Sequence, residues 1–260
     1  MTILDKIIIK KRQEVEQAKA ISTIADFEAM PLFERSCYSL RDSIQHPDRK
    51  GIIAEYKRAS PSKGIINDRS SVAEVVAGYQ AAGASAVSVL TDTEFFKGNL
   101  ADLTAARDVL QLPLLRKEFI VDEFQLVEAK AYGADIILLI AAVLDPKEVQ
   151  HLSAFAKSLG LQVLLEVHNR EELDRSVVDT VDAIGVNNRN LKDFSVSLDH
   201  SLSLVDVIPD RFVKVSESGI SDPGTIRQLR GAGFQGFLIG ENFMKTVDPV
   251  AAIRRFVQTL

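Results

Sequence analysis

The sequence predicts an α/β protein in which eight parallel strands, each followed by a helix, close into a (β/α)8 barrel. Three observations support this prediction. From Gly51 onward, short aliphatic or β-branched runs recur about every 20 to 35 residues, and amphipathic stretches long enough to be helices separate them. The runs number eight. No Gly-x-Gly-x-x-Gly turn follows the first run, so the pattern favours a closed barrel over an open doubly wound sheet.

The first fifty residues stand outside this repeat and predict a helical extension. Leu4–Ala20 carries apolar positions at helical spacing, and Ser39–Gln45 suits a second, short helix. These residues include too few apolar side chains to build a core of their own. We therefore expect residues 1–260 to form one barrel domain, with residues 1–50 as a helical lead-in packed on it.

Most of the predicted strands are apolar enough to be covered on both faces, as in a parallel sheet. In chain order they are Ile52–Tyr56, Ala86–Leu90, Leu114–Lys117, Ile136–Ile140, Val163–Glu166, Ala183–Val186, Phe212–Val215 and Phe237–Ile239. Several glycines, such as Gly133 and Gly160, come just before the next strand, where they suit the left-handed residue that ends a helix.

The composition limits where the protein works and what it binds. A net charge of -5 argues against a nucleic-acid partner, and no apolar run is long enough to span a bilayer. The N-terminus lacks the pattern of a signal peptide, and the lone Cys37 excludes an intramolecular disulfide. We expect a cytoplasmic protein, monomeric or at most a weak dimer.

The four histidines predict no metal site, because they show no ligand spacing with cysteines or carboxylates. They are His46, His151, His168 and His200. His168 lies two residues beyond Glu166, and we expect it to be a surface loop residue.

Charged residues lie at the predicted ends of the first, third and fifth strands, where barrels of this kind build their active sites. Alternation places Glu55 and Lys57 on the face of the first strand that points into the barrel. Lys117 and Glu166 end the third and fifth strands. A single charge at a strand end is usually solvated, but four that converge shift each other's pKa and favour acid–base chemistry.

The last three strands lead into segments suited to anion binding. Asn187 and Arg189 follow the sixth strand, and arginine offers a planar fork for a carboxylate or phosphate. The pairs 218–219 (Ser-Gly) and 240–241 (Gly-Glu) follow the seventh and eighth strands, where barrels commonly bind phosphate with backbone N–H groups. A tight turn is the alternative for each pair.

Several motifs resemble the indole-3-glycerol-phosphate synthase family. Residues 53–64, IAEYKRASPSKG, look like the family signature of a strand Glu-x-Lys followed by x-x-Ser-Pro-Ser-x-Gly. Further matches are SVLTD (88–92), FF-x-G (95–98), LRKEFI (115–120), LEVH (165–168), IGVNNRNL (184–191) and SESGI (216–220). The chain departs from the family at Asn242 and Phe243, where Ser or Ala and Leu are usual.

The resemblance implies a TIM barrel with an N-terminal helical extension. The implied reaction closes the indole ring of 1-(2-carboxyphenylamino)-1-deoxyribulose 5-phosphate with loss of carbon dioxide and water, without cofactor or metal. The expected catalytic residues are Glu55, Lys57, Lys117, Glu166, Asn187 and Ser218. The expected substrate-binding residues are Ser60, Phe96, Phe119, Leu138, Arg189, Glu217, Gly219, Gly240 and Glu241.

Within this site Lys117 is the expected ring-closure acid, and Glu55 with Lys57 the pair for dehydration. Which carboxylate accepts each proton stays open. The loop Arg58–Asp68 is long for its position and predicts a lid with Gly64 as hinge. Alternatives are another phosphate-binding barrel isomerase or lyase, and a non-catalytic binder of the same ligand.

Overall fold

A closed barrel of eight parallel strands forms the centre of the molecule. The computed structural model describes residues 2–190 and 194–260, so Leu191 of the IGVNNRNL motif lies outside the described residues. In chain order the barrel strands are Ile52–Tyr56, Ala86–Leu90, Leu114–Lys117, Ile136–Ile140, Gln162–Val167, Ala183–Asn187, Val213–Glu217 and Gly236–Ile239. Each strand pairs with its neighbour in sequence, and the first pairs with the eighth. The predicted fold class is confirmed.

The seventh strand lies one to two residues later than predicted, and its ladder explains why. Its pairing with the sixth strand continues through Val186 opposite Ser216 and Asn187 opposite Glu217. The polar Ser216 and Glu217 are therefore strand residues rather than the start of a loop. With this register, Glu217 is the last residue of the seventh strand rather than part of the loop that follows it.

Helices alternate with the strands, as the amphipathic stretches predicted. The α-helices in the described ranges are α1 (Ile3–Lys19), α2 (Ile24–Glu28), α3 (Leu40–Gln45), α4 (Val72–Ala81), α5 (Leu100–Val109), α6 (Glu123–Ala131), α7 (Pro146–Ser158), α8 (Arg170–Ser176), α9 (Asp199–Leu204), α10 (Pro223–Ala232), α11 (Glu241–Met244) and α12 (Pro249–Val257). None of these helices has both the length and the hydropathy that crossing a bilayer requires.

The helices begin and end at residues that are typical of helix termini. Asp145 caps α7, its carboxylate accepts hydrogen bonds from two backbone N–H groups, and Pro146 occupies the first helical turn. Gly160, just beyond the same helix, has a φ of 74°, a left-handed conformation that favours glycine. Such signals fix where each connection starts and ends.

The lead-in consists of three helices rather than two. α1 and α3 lie where the sequence predicts them, whereas α2 was not predicted because it has only five residues. Thr23 and Asp26 close a capping box at its start. α1 and α2 contact α6, and α3 contacts the second barrel strand.

A buried lysine joins α1 to the barrel. Lys11 Nζ lies 2.9 Å from Asp92 Oδ2, just after the second strand, and 3.1 Å from Glu118 Oε1, just after the third. Glu14, one turn along the helix, contributes a third carboxylate at 2.7 Å. This cluster holds α1 beside the mouth of the barrel.

The strands divide their side chains between two apolar layers. On the first strand, Ile52, Ala54 and Tyr56 pack outward against the helices. Ile53 packs inward with Leu115, Leu164 and Leu238 in the barrel interior. The predicted alternation is confirmed, and it directs Glu55 and Lys57 toward the mouth above this interior layer.

Candidate active site

A cavity of about 610 Å³ opens at the carboxyl ends of the barrel strands, a volume suited to a small ligand. All fifteen residues that the sequence singled out for the site line this one cavity. They reach it from several strands and the segments that follow them, which lie far apart in the chain. The sequence thus located one common site, although the role of each residue stays a prediction.

Lys117 lies at the centre of a buried charge cluster. Its Nζ donates to Glu217 Oε2 at 2.6 Å and to Glu166 Oε2 at 3.0 Å. Both glutamates are buried, at 4% exposed or less. One lysine therefore binds two carboxylates that water barely reaches, which makes the proton affinities of all three groups interdependent.

Burial and charge act in opposite directions on these three groups. Burial alone would lower the pKa of Lys117, but the charges of Glu217, Glu166 and Glu55 raise it above its ordinary value. Burial would raise the pKa of Glu166, yet the charges of Lys117 and His168 and a hydrogen bond from Asn187 hold it below its ordinary value. For Glu217, burial prevails over the charge of Lys117 and raises the pKa to about 7.

The second oxygen of Glu217 packs against the backbone of Gly185. Its Oε1 is buried and finds no hydrogen-bond partner among the described residues. Gly185 makes room for this carboxylate, since a Cβ there would lie 2.1 Å from the Oε1 atom. Sequence analysis assigned Glu217 to substrate binding, and its contact with Lys117 adds it to the acid–base cluster.

Glu55 and Lys57 form a second Lys–Glu pair in the same cavity, with Lys57 Nζ 2.6 Å from Glu55 Oε1. Glu55 is buried, while the lysine is partly exposed to the cavity. Gly240 packs directly against this carboxylate, because a Cβ on Gly240 would lie 2.3 Å from Glu55 Oε1. The glycine of the predicted phosphate loop therefore also sets the position of Glu55.

Asn187 connects the charge cluster to the loop after the sixth strand. Its Nδ2 donates to Glu166 Oε1 at 3.0 Å, and its Oδ1 accepts from the backbone N–H of Arg189 at 2.9 Å. The neighbouring Asn188 is fully buried and forms hydrogen bonds with Ser201 and Ser216. It therefore stabilises the loop and does not line the cavity.

The part of the cavity predicted to bind an anion contains backbone turns and two cationic side chains. Ser218 and Gly219 both have positive φ, 68° and 77°. Arg189 lies 3.7 Å and Lys63 3.9 Å from the carboxylate of Glu241, at the start of α11. Free N–H groups at a helix start and two nearby cations suit a phosphate.

The opposite wall of the cavity is apolar. The rings of Phe96 and Phe119 have centroids 6.0 Å apart, and Leu138 and Leu90 lie on the same cavity. Helix α1 adds Ile3, Leu4 and Ile7 to the lining, a contribution that sequence reasoning missed. The apolar stripe of α1 was visible in the sequence, but not where that stripe would pack.

The predicted lid is a short β-hairpin. Ala59–Ser60 pairs antiparallel with Gly64–Ile65, and Gly64 has a φ of 67°. Arg58, at the base of the hairpin, donates from both terminal guanidinium nitrogens, Nη1 and Nη2, to the carboxylate of Asp102. The turn places Ser60, Pro61, Ser62 and Lys63 on the cavity.

His168 lies in the predicted loop, between the fifth strand and α8, but the expectation that it lies on the surface was wrong. Its side chain is only 12% exposed, and it lies between two carboxylates rather than in solvent. Nδ1 is 3.2 Å from Glu172 Oε2, and Nε2 is 3.7 Å from Glu166 Oε1. The i to i+4 spacing of His168 and Glu172 is the signal that sequence reasoning overlooked. Within residues 2–190 and 194–260, no group of three His, Cys, Asp or Glu side chains is placed to hold a metal ion.

The fold and the cavity define a (β/α)8-barrel enzyme with an acid–base site of lysines and carboxylates. A model of the family described as indole-3-glycerol phosphate synthase matches residues 4–256, and the chain belongs to this family.

Relatives from two bacteria match nearly the whole chain. The indole-3-glycerol phosphate synthase of Bacteroides thetaiotaomicron is 46% identical over 258 residues, which cover 99% of this chain and 98% of the relative. That of Laribacter hongkongensis is 44% identical over 255 residues, covering 96% and 97%. Among solved structures, 3-hexulose-6-phosphate synthase from Salmonella typhimurium shares the fold, with a TM-score of 0.63 at 14% identity over 81% of this chain and 98% of that one.

Proposed function

We propose that this protein converts 1-(2-carboxyphenylamino)-1-deoxyribulose 5-phosphate to indole-3-glycerol phosphate by ring closure, decarboxylation and dehydration. One observation carries the proposal: a lysine shared by two buried glutamates lies in the same cavity as a second Lys–Glu pair. The reaction needs proton transfers at more than one atom, and these two groups supply acids and bases for them.

Binding comes first in this scheme. The phosphate lies at Ser218, Gly219, Gly240 and the start of α11, with Arg189 and Lys63 in reach of its charge. The carboxyphenyl ring lies in the apolar slot of Phe96, Phe119 and Leu138. Anchoring both ends brings the carbonyl of the open-chain sugar close to the ring carbon that attacks it.

Lys117 is the acid of the ring-closing step. As the ring carbon bearing the carboxylate attacks the carbonyl, Lys117 transfers a proton from Nζ to the carbonyl oxygen. Glu166 holds the lysine in place at 3.0 Å and stabilises the positive charge that develops on the anilino nitrogen. Loss of carbon dioxide then restores the aromatic ring.

Glu55 and Lys57 carry the dehydration. The carboxylate removes a proton from carbon, and the ammonium protonates the hydroxyl that leaves as water. Glu217 is a second candidate for the base, because its pKa of about 7 matches proton transfer near neutral pH. Ser218 and Asn187 orient the polar groups of the substrate beside these side chains.

We also infer that the protein acts in the cytoplasm as a monomer or weak dimer. The lone Cys37 suits a reducing compartment, and the net charge of -5 argues against nucleic acid as a partner. The scheme uses only the protein's own side chains. Light scattering coupled to gel filtration, across a range of concentrations, measures the oligomeric state directly.

The test of the function is a direct assay. Purified protein is incubated with the carboxyphenylamino sugar phosphate, and the expected result is a rise in indole fluorescence with release of one carbon dioxide per turnover. Inorganic phosphate should compete with the substrate. The dephosphorylated substrate is the matched control and should react with a much higher KM. Absence of indole product from folded protein would refute the proposal.

A further inference from the structure

His168 is a largely enclosed side chain, 12% exposed, that the proposed steps do not use. It follows the fifth strand directly and points along that strand toward Glu166, with 3.7 Å between Nε2 and Glu166 Oε1. Nε2 is buried and has no hydrogen-bond partner among the residues that the structure describes. It does not line the cavity, so any effect on the substrate must pass through Glu166.

The other ring nitrogen is firmly held. Glu172 Oε2 lies 3.2 Å from Nδ1 and also accepts the backbone N–H of His168 at 2.8 Å. Asn169 donates to the other oxygen of the same carboxylate at 3.0 Å. The imidazole is therefore fixed in orientation, with Nδ1 toward α8 and Nε2 toward the active site.

Two carboxylates lie beside the ring, Glu166 from its own strand and Glu172 from α8, and the charge of Glu217 on the seventh strand also acts on it. Lys117, from the third strand, contacts Oε2 of Glu166, the oxygen opposite the one nearest His168, and Oε2 of Glu217. Burial lowers the pKa of His168, but the bond to Glu172 and the three negative charges more than offset this and raise it. A charged imidazolium is thus favoured at a point where Lys117 leaves negative charge uncompensated.

We propose that His168 is a positioning residue for Glu166: it directs this carboxylate toward Lys117 and keeps it ionised while Lys117 protonates the substrate. The inference rests on the proposed function for the step at Lys117. When the proton moves from Nζ to the carbonyl oxygen, the cluster loses its lysine charge. The imidazolium then remains as the cation beside Glu166, so the carboxylate does not recapture a proton during the reaction.

Two substitutions separate the charge of His168 from its shape. His168→Leu removes both the N–H and the charge, and we expect kcat to fall about tenfold with KM within about threefold of wild type. His168→Gln keeps a donor without the charge and should recover part of kcat. In both variants the acid limb of the kcat profile should move to higher pH by about half a unit or more, because the carboxylates lose a neighbouring positive charge.

His151→Gln is the matched control. His151, on α7, also forms a His–Glu pair, with its Nε2 2.8 Å from Glu123 Oε1, but its side chain is 67% exposed and does not line the cavity. This variant should keep the wild-type kcat and pH profile. A loss of kcat in the His168 variants that is equal at every pH would indicate a structural role only and would overturn the proposal.

A titration that needs no turnover tests the coupling itself. The ring resonances of His168 are followed by NMR in the wild type and in Glu166→Gln, and the pKa of His168 should fall when the Glu166 charge is removed. If the Glu166→Gln variant folds normally and the pKa of His168 is unchanged, the proposal is overturned. If the wild type makes no indole product but the pKa falls, the proposed reaction is wrong and the positioning contact stands.

Discussion

Among single residues, Lys117 should have the largest effect on catalysis when replaced, because it binds two buried carboxylates at once. Replacing it with alanine removes the ring-closure acid, and turnover should fall by about 10² or more while KM changes little. Steady-state kinetics of Lys117→Ala measure both. Lys157→Ala is the control, because Lys157 pairs with Asp182 at 2.7 Å on the outside of the barrel. Near-normal kcat in Lys117→Ala would contradict the assignment.

Replacing Gly240 should also lower activity, here through a steric clash rather than through the loss of a charge. An alanine Cβ there would lie 2.3 Å from Glu55 Oε1 and 2.9 Å from Glu55 Cβ, so the carboxylate that pairs with Lys57 must shift from its position. Gly240→Ala should lower kcat by about 10- to 100-fold, since small misplacements of reacting groups are costly.

Gly231→Ala is the matched control for this substitution. Gly231 lies in α10, and a Cβ there meets no atom within 4 Å. The change should leave kcat intact and stabilise the helix by up to about 1 kcal/mol. Equal kinetics for the two alanine variants would show that Glu55 is not held by Gly240.

At the scale of elements, the barrel strands were predictable because each is a short apolar run bounded by turn residues. The hairpin Ala59–Ser60 with Gly64–Ile65 was not, since two-residue strands have no periodicity to detect. The converging lysines and glutamates followed from strand alternation alone. The position of His168 did not, because it depends on where α8 packs after the fifth strand.

We expect the hairpin to act as a lid whose motion limits turnover. Gly64→Pro should disrupt it, because Gly64 has a φ of 67° and proline is fixed near -65°. We expect a larger loss of turnover than of stability and a changed dependence of kcat on solvent viscosity. Gly64→Asn is the control, since asparagine tolerates the left-handed conformation. Wild-type viscosity dependence in Gly64→Pro would mean that this segment is only a connection.

At the scale of the whole molecule, the lead-in and the barrel are joined through charge. Lys11→Met would leave Asp92 and Glu118 buried without their shared cation, and stability should fall by about 3 to 5 kcal/mol. Lys10→Met is the control: its partner Glu94 lies 3.2 Å away in an exposed pair, worth about 1 kcal/mol or less.

Urea unfolding followed by fluorescence and circular dichroism measures this difference. If residues 1–260 form one domain, both probes should report a single transition in the wild type and in both variants. Two separate transitions in the wild type would contradict a single cooperative domain.

The closure of the barrel has a consequence for how the chain is made on the ribosome. Ile52–Tyr56 pairs with the eighth strand through Ile52 opposite Phe237, about 185 residues later in the chain. At about 5 to 20 residues per second, one edge of the first strand waits roughly ten to forty seconds for its partner. An apolar strand edge left open is prone to join a foreign strand. Slowing translation between the first and last strands should therefore increase aggregation of nascent chains.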